Sequence, residues 1–147
     1  MAAPARHSVS VAAAVVDEQG RLLATRRMDN GKWEPPGGVL ELTETIDEGL
    51  RREVLEETGL VVEPERLTGV YKNMERGIVA LVFRCHVAGG GVSKGSEVRE
   101  CRWMTPAQVE DAMDEAYAVR LLDALREGVP LVRTHDGVRL TEAGADG

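Results

Sequence analysis

One acid-rich stretch organises this chain: Gly38-Val39-Leu40-Glu41-Leu42-Thr43-Glu44-Thr45-Ile46-Asp47-Glu48-Gly49-Leu50-Arg51-Arg52-Glu53-Val54-Leu55-Glu56-Glu57-Thr58-Gly59-Leu60. It holds seven acidic residues in 23 positions. Glu53, Glu56 and Glu57 fall within five consecutive positions, and on a helix they project within an arc of about 100°. Because like charges at this spacing repel one another, we expect a cation to bind among them.

The same stretch carries the signals of a helix that begins after Thr45 and ends at Gly59. Thr45 followed three residues later by Glu48 is a capping-box pattern, and Gly59 is suited to a left-handed helix end. Gly49 lies mid-helix, where glycine costs about 1 kcal/mol relative to alanine, so either a neighbour packs closely there or the residue is tolerated. Three apolar residues recur at helical spacing and should face the core: Ile46, Leu50 and Val54.

Composition limits the classes of protein to which the chain can belong. Its 147 residues suggest a single domain spanning 1–147, and no segment is long enough to cross a membrane. A net charge of −7 argues against a nucleic-acid-binding surface, which needs clustered lysine and arginine. Small phosphorylated ligands remain compatible with this charge, because a bound cation can invert the local field.

Cysteine usage indicates a reducing compartment. Cys85 and Cys101 are the only two cysteines and lie far apart in the sequence, which is neither a disulfide framework nor a zinc-site spacing. We interpret both as buried thiols of a cytoplasmic protein.

Patterns along the rest of the chain alternate between strands and helices. Strands are expected at 8–16 and 22–27, joined by a hairpin turn, and at 60–62 and 67–72, separated by Pro64. A central strand at 77–87 precedes a Gly-rich loop at 88–96. The remaining expectations are a disordered tail at 1–6, a strand at 97–104, helices at 106–113 and 114–127, and a C-terminal hairpin at 131–140.

The spacing of the acid-rich stretch matches a known family. Gly38, Glu44 and the run Arg52-Glu53-Val54-x-Glu56-Glu57-x-Gly59-Leu60 resemble the signature box of the Nudix hydrolases. The resemblance covers residues 8–127 and implies a Nudix-type α/β/α sandwich around a mixed β-sheet. It further implies hydrolysis of a diphosphate linked to another group, commonly a nucleoside diphosphate, with Mg²⁺ as cofactor and Mn²⁺ as a substitute.

The residues themselves point to the same metal chemistry. Magnesium is a hard cation that prefers oxygen ligands, and Glu53, Glu56 and Glu57 supply them from one helical face. The pair Gly37-Gly38 frees the backbone for unusual dihedral angles, so we predict the Gly38 carbonyl as a further ligand. A metal here would neutralise phosphate charge and lower the pKa of a bound water.

Other predicted site residues surround this cluster. By resemblance, Arg52 pairs with Glu44 and braces the loop, and a further glutamate enters the site after the central strand. Glu97 is our candidate for that glutamate, and Glu100 competes with it. A carboxylate bound to metal is a poor base, so the general base could be Glu97, Glu53 or Glu56.

Substrate recognition is less clearly encoded. Arg26 and Arg27 end a strand on opposite faces, and we predict that Arg27, with Gly37 and Gly38, contacts the substrate phosphates. The substrate-specific residues that family members carry downstream are missing: Glu75 and Arg76 stand where ADP-ribose hydrolases often have proline. Their absence favours a MutT-like nucleotide-pool hydrolase, and the resemblance also suggests a homodimer.

Two other functions stay open at this level. The fold could serve as a sensor that binds a nucleotide derivative without hydrolysing it. It could also isomerise a prenyl diphosphate, which would need a catalytic cysteine, Cys85 or Cys101, near the site.

Overall fold

The computed structural model describes residues 4–141 as two sheets and three helices. Both sheets contain strands that are distant in the sequence, in the orders β4-β1-β6-β5-β8-β9 and β3-β2-β7. The elements are β1 (Ser8–Val15), β2 (Leu22–Arg27), β3 (Trp33–Glu34), β4 (Gly37–Val39), α1 (Ile46–Thr58), β5 (Leu60–Asn73), β6 (Ile78–Gly90), β7 (Val98–Met104), α2 (Pro106–Ala112), α3 (Glu115–Asp123), β8 (Leu131–His135) and β9 (Leu140–Thr141).

Strand β1 explains how the layers form. It pairs in parallel with β6 and antiparallel with β4, so it is covered on both edges. Successive side chains of a strand point to opposite faces: Val11, Ala13 and Val15 pack in one apolar cluster, and Ala12 and Ala14 in another. The mixed sheet therefore has an apolar core on each side, and the predicted α/β/α sandwich is confirmed.

Each core is closed by helices from a different part of the chain. Leu50 and Val54 of α1 are buried in the cluster that contains Val11, whereas Val109 of α2 and Leu121 of α3 are buried in the opposite one. The expectation that Ile46 faces the core is wrong, because this first helical residue lies beyond the edge of the cluster and is 42% exposed.

The ends of α1 form as the sequence predicts. The Thr45 hydroxyl accepts a hydrogen bond from the Glu48 backbone, and the Glu48 carboxylate accepts one from the Thr45 backbone. Gly59 ends the helix at a φ of 78°. Gly49 has a packing reason, since a Cβ there would overlap the side chains of Leu40 and Glu44.

Three strand predictions need correction. The turn after β1 forms, but β1 and β2 enter different sheets and share only the bridge between Val16 and Leu22. Pro64 does not divide a strand pair, because β5 is continuous and absorbs Pro64 at a register shift against β6. The Gly-rich loop is also shorter than predicted, since Gly89 and Gly90 pair with β5.

The C-terminal segment is integrated into the larger sheet. Strand β8 pairs in parallel with β5, and the short β9 returns antiparallel to β8 after a turn at Gly137, whose φ is 105°. Helix α3 ends at Asp123, four residues before the predicted end. Of the predicted tail, residues 1–3 lie outside the described part, and residues 4–6 are exposed without regular structure.

Candidate active site

The acidic face of α1 forms one wall of a cavity of about 260 Å³. Glu53, Glu56 and Glu57 line it, as predicted from their helical spacing. Glu97 lines the same cavity from the turn that precedes β7. Glu100 does not line this cavity, and its side chain instead binds Arg102 at 2.6 Å.

The loop between β6 and β7 is held against the end of α1. The backbone N–H of Ser93 donates to the Thr58 carbonyl at 2.8 Å, and that of Gly95 donates to the Glu57 carbonyl at 3.1 Å. A side chain at Gly95 would overlap the Glu56 carbonyl, so only glycine permits this approach. These contacts explain how Glu97, forty residues after Glu57, comes to the same cavity.

Arg52 connects the carboxylates of the signature stretch. Its guanidinium donates two hydrogen bonds to Glu44, at 2.9 and 2.6 Å, so the pairing expected from the resemblance is present. The bidentate contact lowers the pKa of Glu44 to about 2. The remaining Nη1 binds Glu53 at 3.1 Å and Glu56 at 3.2 Å. Arg52 is therefore the cation that holds these carboxylates together in this structure.

Glu57 has a different environment from its neighbours. Its carboxylate accepts a hydrogen bond of 2.9 Å from the Gly37 backbone N–H, and among the described residues it forms no salt bridge. Burial raises the pKa of Glu57 to about 7, and the nearby Glu53 adds to this effect. Burial also raises the pKa of Glu53, against the opposing effect of Arg52. The ionised form of Glu57 thus lacks a compensating cation.

The two glycines of β4 provide room rather than unusual dihedral angles, which corrects the prediction made for them. Neither has a positive φ, and both lie in a regular strand paired with β1. A Cβ at Gly37 would overlap the backbone of Val11 and Ala12, and one at Gly38 would overlap the Glu53 carboxylate. Gly38 consequently brings the backbone of β4 into contact with the acidic face.

The donor set fits a hard divalent cation, although its members do not converge in this conformation. Within residues 4–141 no three acidic, histidine or cysteine side chains form a ready metal cluster. Glu53 and Glu56 are held by Arg52, and Glu57 is held by Gly37. Four carboxylates nevertheless line one cavity, and oxygen-only donors are what Mg²⁺ selects.

A larger cavity of about 560 Å³ is lined by Gly37 and Gly38. The predicted Arg27 also lines it, but its guanidinium binds Asp29 at 2.7 Å and Glu34 at 3.1 Å. Further lining residues come from four separate segments of the chain: Lys32 and Trp33, Asn73 to Arg76, Asp114 to Arg120, and Asp136 to Val138.

Two aromatic residues that could stack a nucleotide base, Tyr71 and Phe83, belong instead to the core. Tyr71 is fully buried and donates a hydrogen bond to Asp123 at 2.8 Å, and Phe83 packs against the cluster under α1. Trp33 lines the larger cavity, yet the guanidinium groups of Arg26 and Arg102 lie 5.8 and 4.9 Å from its ring centre.

Sequence reasoning missed two residues that line the larger cavity, Tyr117 and Arg120, and a third that lies beside Arg120, His135. Tyr117 and Arg120 are three positions apart on α3, so they share a helical face, and this spacing is the signal that could have found Arg120. His135 had no role assigned to it, and it is fully buried beside Arg120, at 3.2 Å between the Arg120 Nη2 and the His135 Nε2. Only the fold reveals this proximity.

Neither cysteine has the environment of a catalytic thiol. Both are free, and burial raises the pKa of Cys85 to about 12. Burial also raises the pKa of Cys101, whose Sγ lies 3.5 Å from the Glu57 carbonyl. Because the thiolate is the reactive form, this geometry argues against the isomerase alternative.

A sequence profile of the NUDIX domain matches residues 6–125. The chain belongs to the Nudix family of hydrolases. It is 60% identical over 141 residues to a MutT-like protein of Streptomyces ambofaciens, which covers 96% of this chain and 92% of that protein. A solved Nudix hydrolase from Nitrosomonas europaea superimposes with a TM-score of 0.76 at 24% identity, covering 90% of this chain and 82% of the other, and supports the fold.

Relatives with named activities are more distant. The chain is 31% identical over 96 residues to an ADP-ribose pyrophosphatase of Methanocaldococcus jannaschii, covering 60% of this chain and 57% of that protein. It is 34% identical over 140 residues to an 8-oxo-dGDP phosphatase of Mus musculus, covering 92% of this chain and 38% of that protein. Among residues 4–141, none of the helices combines the length and apolar character that a bilayer crossing requires.

Proposed function

We propose that this Nudix hydrolase is a divalent-metal-dependent pyrophosphohydrolase acting on a nucleoside diphosphate linked to another group. One observation carries the proposal: Gly37 and Gly38 line a cavity large enough for a nucleotide, and they contact Glu57 and Glu53, which line the acidic cavity together with Glu56 and Glu97. The named relatives, an ADP-ribose pyrophosphatase and an 8-oxo-dGDP phosphatase, support a substrate of this class.

The residues that would hold the cofactor are Glu53, Glu56, Glu57 and the Gly38 carbonyl. Bound Mg²⁺, or Mn²⁺ in its place, would neutralise phosphate charge and lower the pKa of a bound water. Glu57 is the strongest of these candidates, because its buried carboxylate has no cation partner among the described residues. Glu53 and Glu56 each contact Arg52 through one carboxylate oxygen, which leaves the other oxygen of each for a metal.

The chain's own groups can then carry the proton. Water attacks phosphorus, the bond from that phosphorus to the bridging oxygen breaks, and a nucleoside monophosphate and a second phosphate-containing product leave. A glutamate that is not engaged by metal accepts the proton of the attacking water. Glu97 suits this role because it lines the same cavity as the α1 carboxylates and has no hydrogen-bond partner for its side chain among the described residues. Arg27 and the β4 backbone would orient the phosphates.

A hydrolysis screen tests this proposal. We would assay nucleoside triphosphates (including oxidised ones), ADP-ribose, nucleotide sugars and dinucleoside polyphosphates with Mg²⁺, with Mn²⁺ and with chelator. The expected result is metal-dependent release of a nucleoside monophosphate from one class, reduced about 10²-fold or more in Glu57→Gln. Glu110→Gln, which neutralises an exposed carboxylate on α2, is the matched control and should turn over normally.

Two results would contradict the proposal. Wild-type turnover in a folded Glu57→Gln protein would remove the acidic face from the chemistry. Tight binding of a nucleotide derivative without hydrolysis under any metal would instead favour the sensor function.

Two further properties belong to the proposal: the cellular location and the oligomeric state. The two free thiols support a cytoplasmic protein. A homodimer remains a prediction from the family resemblance, and light scattering coupled to size-exclusion chromatography would measure it directly.

A further inference from the structure

Arg120 of α3 is an unusual residue for the interior of this protein. It is only 8% exposed, yet it lines the larger cavity. Its guanidinium remains charged at any physiological pH, and burying such a charge is expensive unless it is paired. The groups that surround Arg120 therefore decide whether the fold itself provides that pairing.

Among residues 4–141 no carboxylate forms a salt bridge with Arg120, and Glu34, which lines the same cavity, acts on it only at longer range. Asp123, the acidic residue three positions further along α3, is held instead by Tyr71 and by a bidentate contact from Arg133 at 2.7 and 2.8 Å. The Arg120 Nε is buried without a hydrogen-bond partner among residues 4–141. The ring centres of Tyr117 and Tyr71, 4.7 and 5.6 Å from the guanidinium carbon, offer only cation–π contact.

Among residues 4–141, only His135 lies within hydrogen-bond distance of the Arg120 guanidinium, and it is also poorly suited to it. The backbone N–H of Gly137 donates to the His135 Nδ1 at 2.9 Å. A neutral imidazole has a single acceptor nitrogen, so the Nε2 of His135 must carry the proton. Burial and Arg120 itself lower the pKa of His135, which keeps the ring neutral. The Arg120 Nη2 therefore faces another donor at 3.2 Å.

Other cations around this cavity do not share this situation. Arg27 is paired with Asp29 and Glu34, and Lys32 is paired with Asp114 at 2.9 Å. Arg76 is exposed, so water solvates its charge. Arg120 alone among these four combines burial with the lack of a carboxylate or an acceptor in the described part of the chain.

The geometry points to Arg120 as an anion-binding residue of the larger cavity that takes a phosphoryl group of the nucleotide substrate. This inference rests on the proposed function for the class of ligand, because a nucleoside diphosphate derivative brings phosphoryl oxygens into this cavity. A guanidinium matches such a group with a fork of N–H donors. Arg120 would thus determine substrate affinity rather than the chemical step.

The phosphoryl group could come from two positions on the substrate. It could belong to the diphosphate chain itself, or it could be a separate phosphate elsewhere on the nucleotide. AMP, ADP and adenosine 3′,5′-bisphosphate distinguish these sources, since the last two carry the same number of phosphates in different places.

The first experiment observes Arg120 in the wild-type protein. In ¹⁵N-correlated NMR spectra recorded in chelator, the Nε–H signal of Arg120, assigned with Arg120→Lys, is followed while inorganic phosphate is added. A saturable shift of this signal is expected. An Nε–H signal that stays in place with phosphate and with all three nucleotides would overturn the inference.

The second experiment measures dissociation constants for the three nucleotides in chelator, with Arg120→Met, Arg120→Lys and the control Arg126→Met, which removes an exposed charge beyond the end of α3. We expect Arg120→Met to weaken one nucleotide about tenfold or more. We expect a smaller loss in Arg120→Lys, which keeps the charge but not the fork, and no loss in Arg126→Met. Selective loss for ADP identifies the diphosphate chain, and selective loss for the bisphosphate identifies a separate phosphate.

Equal affinities in wild type and Arg120→Met, or failure of the wild type to bind any of the three nucleotides, would overturn the inference. If Arg120→Met does not fold, the affinities of Arg120→Lys and the wild-type NMR titration still test the inference. Because these measurements need no metal and no turnover, their failure is distinguishable from failure of the proposed hydrolysis.

Discussion

The two cavities differ in the buried charge that each contains: a carboxylate in the smaller one and a guanidinium in the larger one. On the side of α1, Glu57 is a buried carboxylate whose pKa is raised because no cation compensates it. On the side of α3, Arg120 is a buried cation that forms no salt bridge with a carboxylate of residues 4–141. We infer from this contrast that each end of the site binds a ligand of opposite charge. The acidic end, at Glu57, would bind a metal cation, and the Arg120 end would bind a substrate phosphate.

The contacts that position these two charged groups differ as well. The acidic end depends on local contacts, since one helix carries three of its four glutamates and Arg52 links two of them. The Arg120 end depends on a helix and a hairpin that meet only in the folded chain. We therefore expect substitutions at the acidic end to affect turnover, and substitutions at the Arg120 end to affect affinity.

The largest effect is expected at Gly38, which lines the larger cavity and contacts Glu53 of the smaller one. In Gly38→Ala the new Cβ would overlap the Glu53 carboxylate, and displacement of a catalytic group by about 1 Å can cost 10²-fold in rate. We expect turnover of the substrate found in the screen to fall about a hundredfold or more. Gly89→Ala is the control, because a Cβ there meets only Val61 at 3.8 Å. Equal turnover in the two variants would mean that Gly38 does not position Glu53.

The next largest effect is expected on stability, and it comes from the protonation of Glu57. A carboxyl whose pKa is raised to about 7 in the folded state binds its proton more tightly when folded. The free energy of unfolding therefore falls as the pH rises from the unfolded pKa toward about 7. In chelator, lowering the pH from about 8 to about 5 should stabilise the wild type by about 2 kcal/mol relative to Glu57→Gln.

Denaturant unfolding at several pH values measures this difference. Arg120→Met should show no such slope relative to the wild type, because arginine does not titrate in this range. Parallel pH curves for the wild type and Glu57→Gln would mean that Glu57 is solvated well enough to ionise freely, and the contrast between the two ends would be lost.

A smaller effect is expected to distinguish substitutions of Arg52 and Arg51, which are adjacent on α1. Arg52→Met removes the group that holds Glu44, Glu53 and Glu56, so we expect turnover to fall about tenfold and stability by about 1–2 kcal/mol. Arg51→Met removes exposed pairs with Asp47 and Glu63, which are worth about 0–1 kcal/mol. Kinetics and thermal unfolding of both variants check this. Equal losses would mean that Arg52 is an ordinary surface arginine.

Particular residues show how far the sequence predicts this structure. Capping at Thr45 and the helix end at Gly59 follow from short-range patterns that the fold does not override, whereas the bond between Arg52 and Glu44 is expected only from the family resemblance. The continuous β5 does not follow from short-range patterns, because Pro64 is accommodated by a register shift that depends on β6. The pairing of β1 is equally non-local, since its partners are β4 and β6 rather than β2.

The same distinction applies to the candidate site. Glu53, Glu56 and Glu57 share a face because of helical geometry, which the sequence encodes directly. Glu97 could be favoured over Glu100 only by resemblance, since backbone bonds from the preceding loop to α1 determine its position. The sequence indicates Arg120 only through its spacing from Tyr117. The lack of a hydrogen-bond acceptor for Arg120 results from the contacts that Asp123 and His135 make in the folded chain.

Direct metal binding tests the acidic end most directly. Electron paramagnetic resonance of free Mn²⁺ during titration gives its dissociation constant for the wild type, Glu57→Gln, Arg120→Met and the control Glu110→Gln. We expect the wild type, Arg120→Met and Glu110→Gln to bind Mn²⁺ alike, and Glu57→Gln to bind it at least about tenfold more weakly. Equal Mn²⁺ affinity in the wild type and Glu57→Gln, or no binding by the wild type, would contradict a metal site at the acidic face of α1.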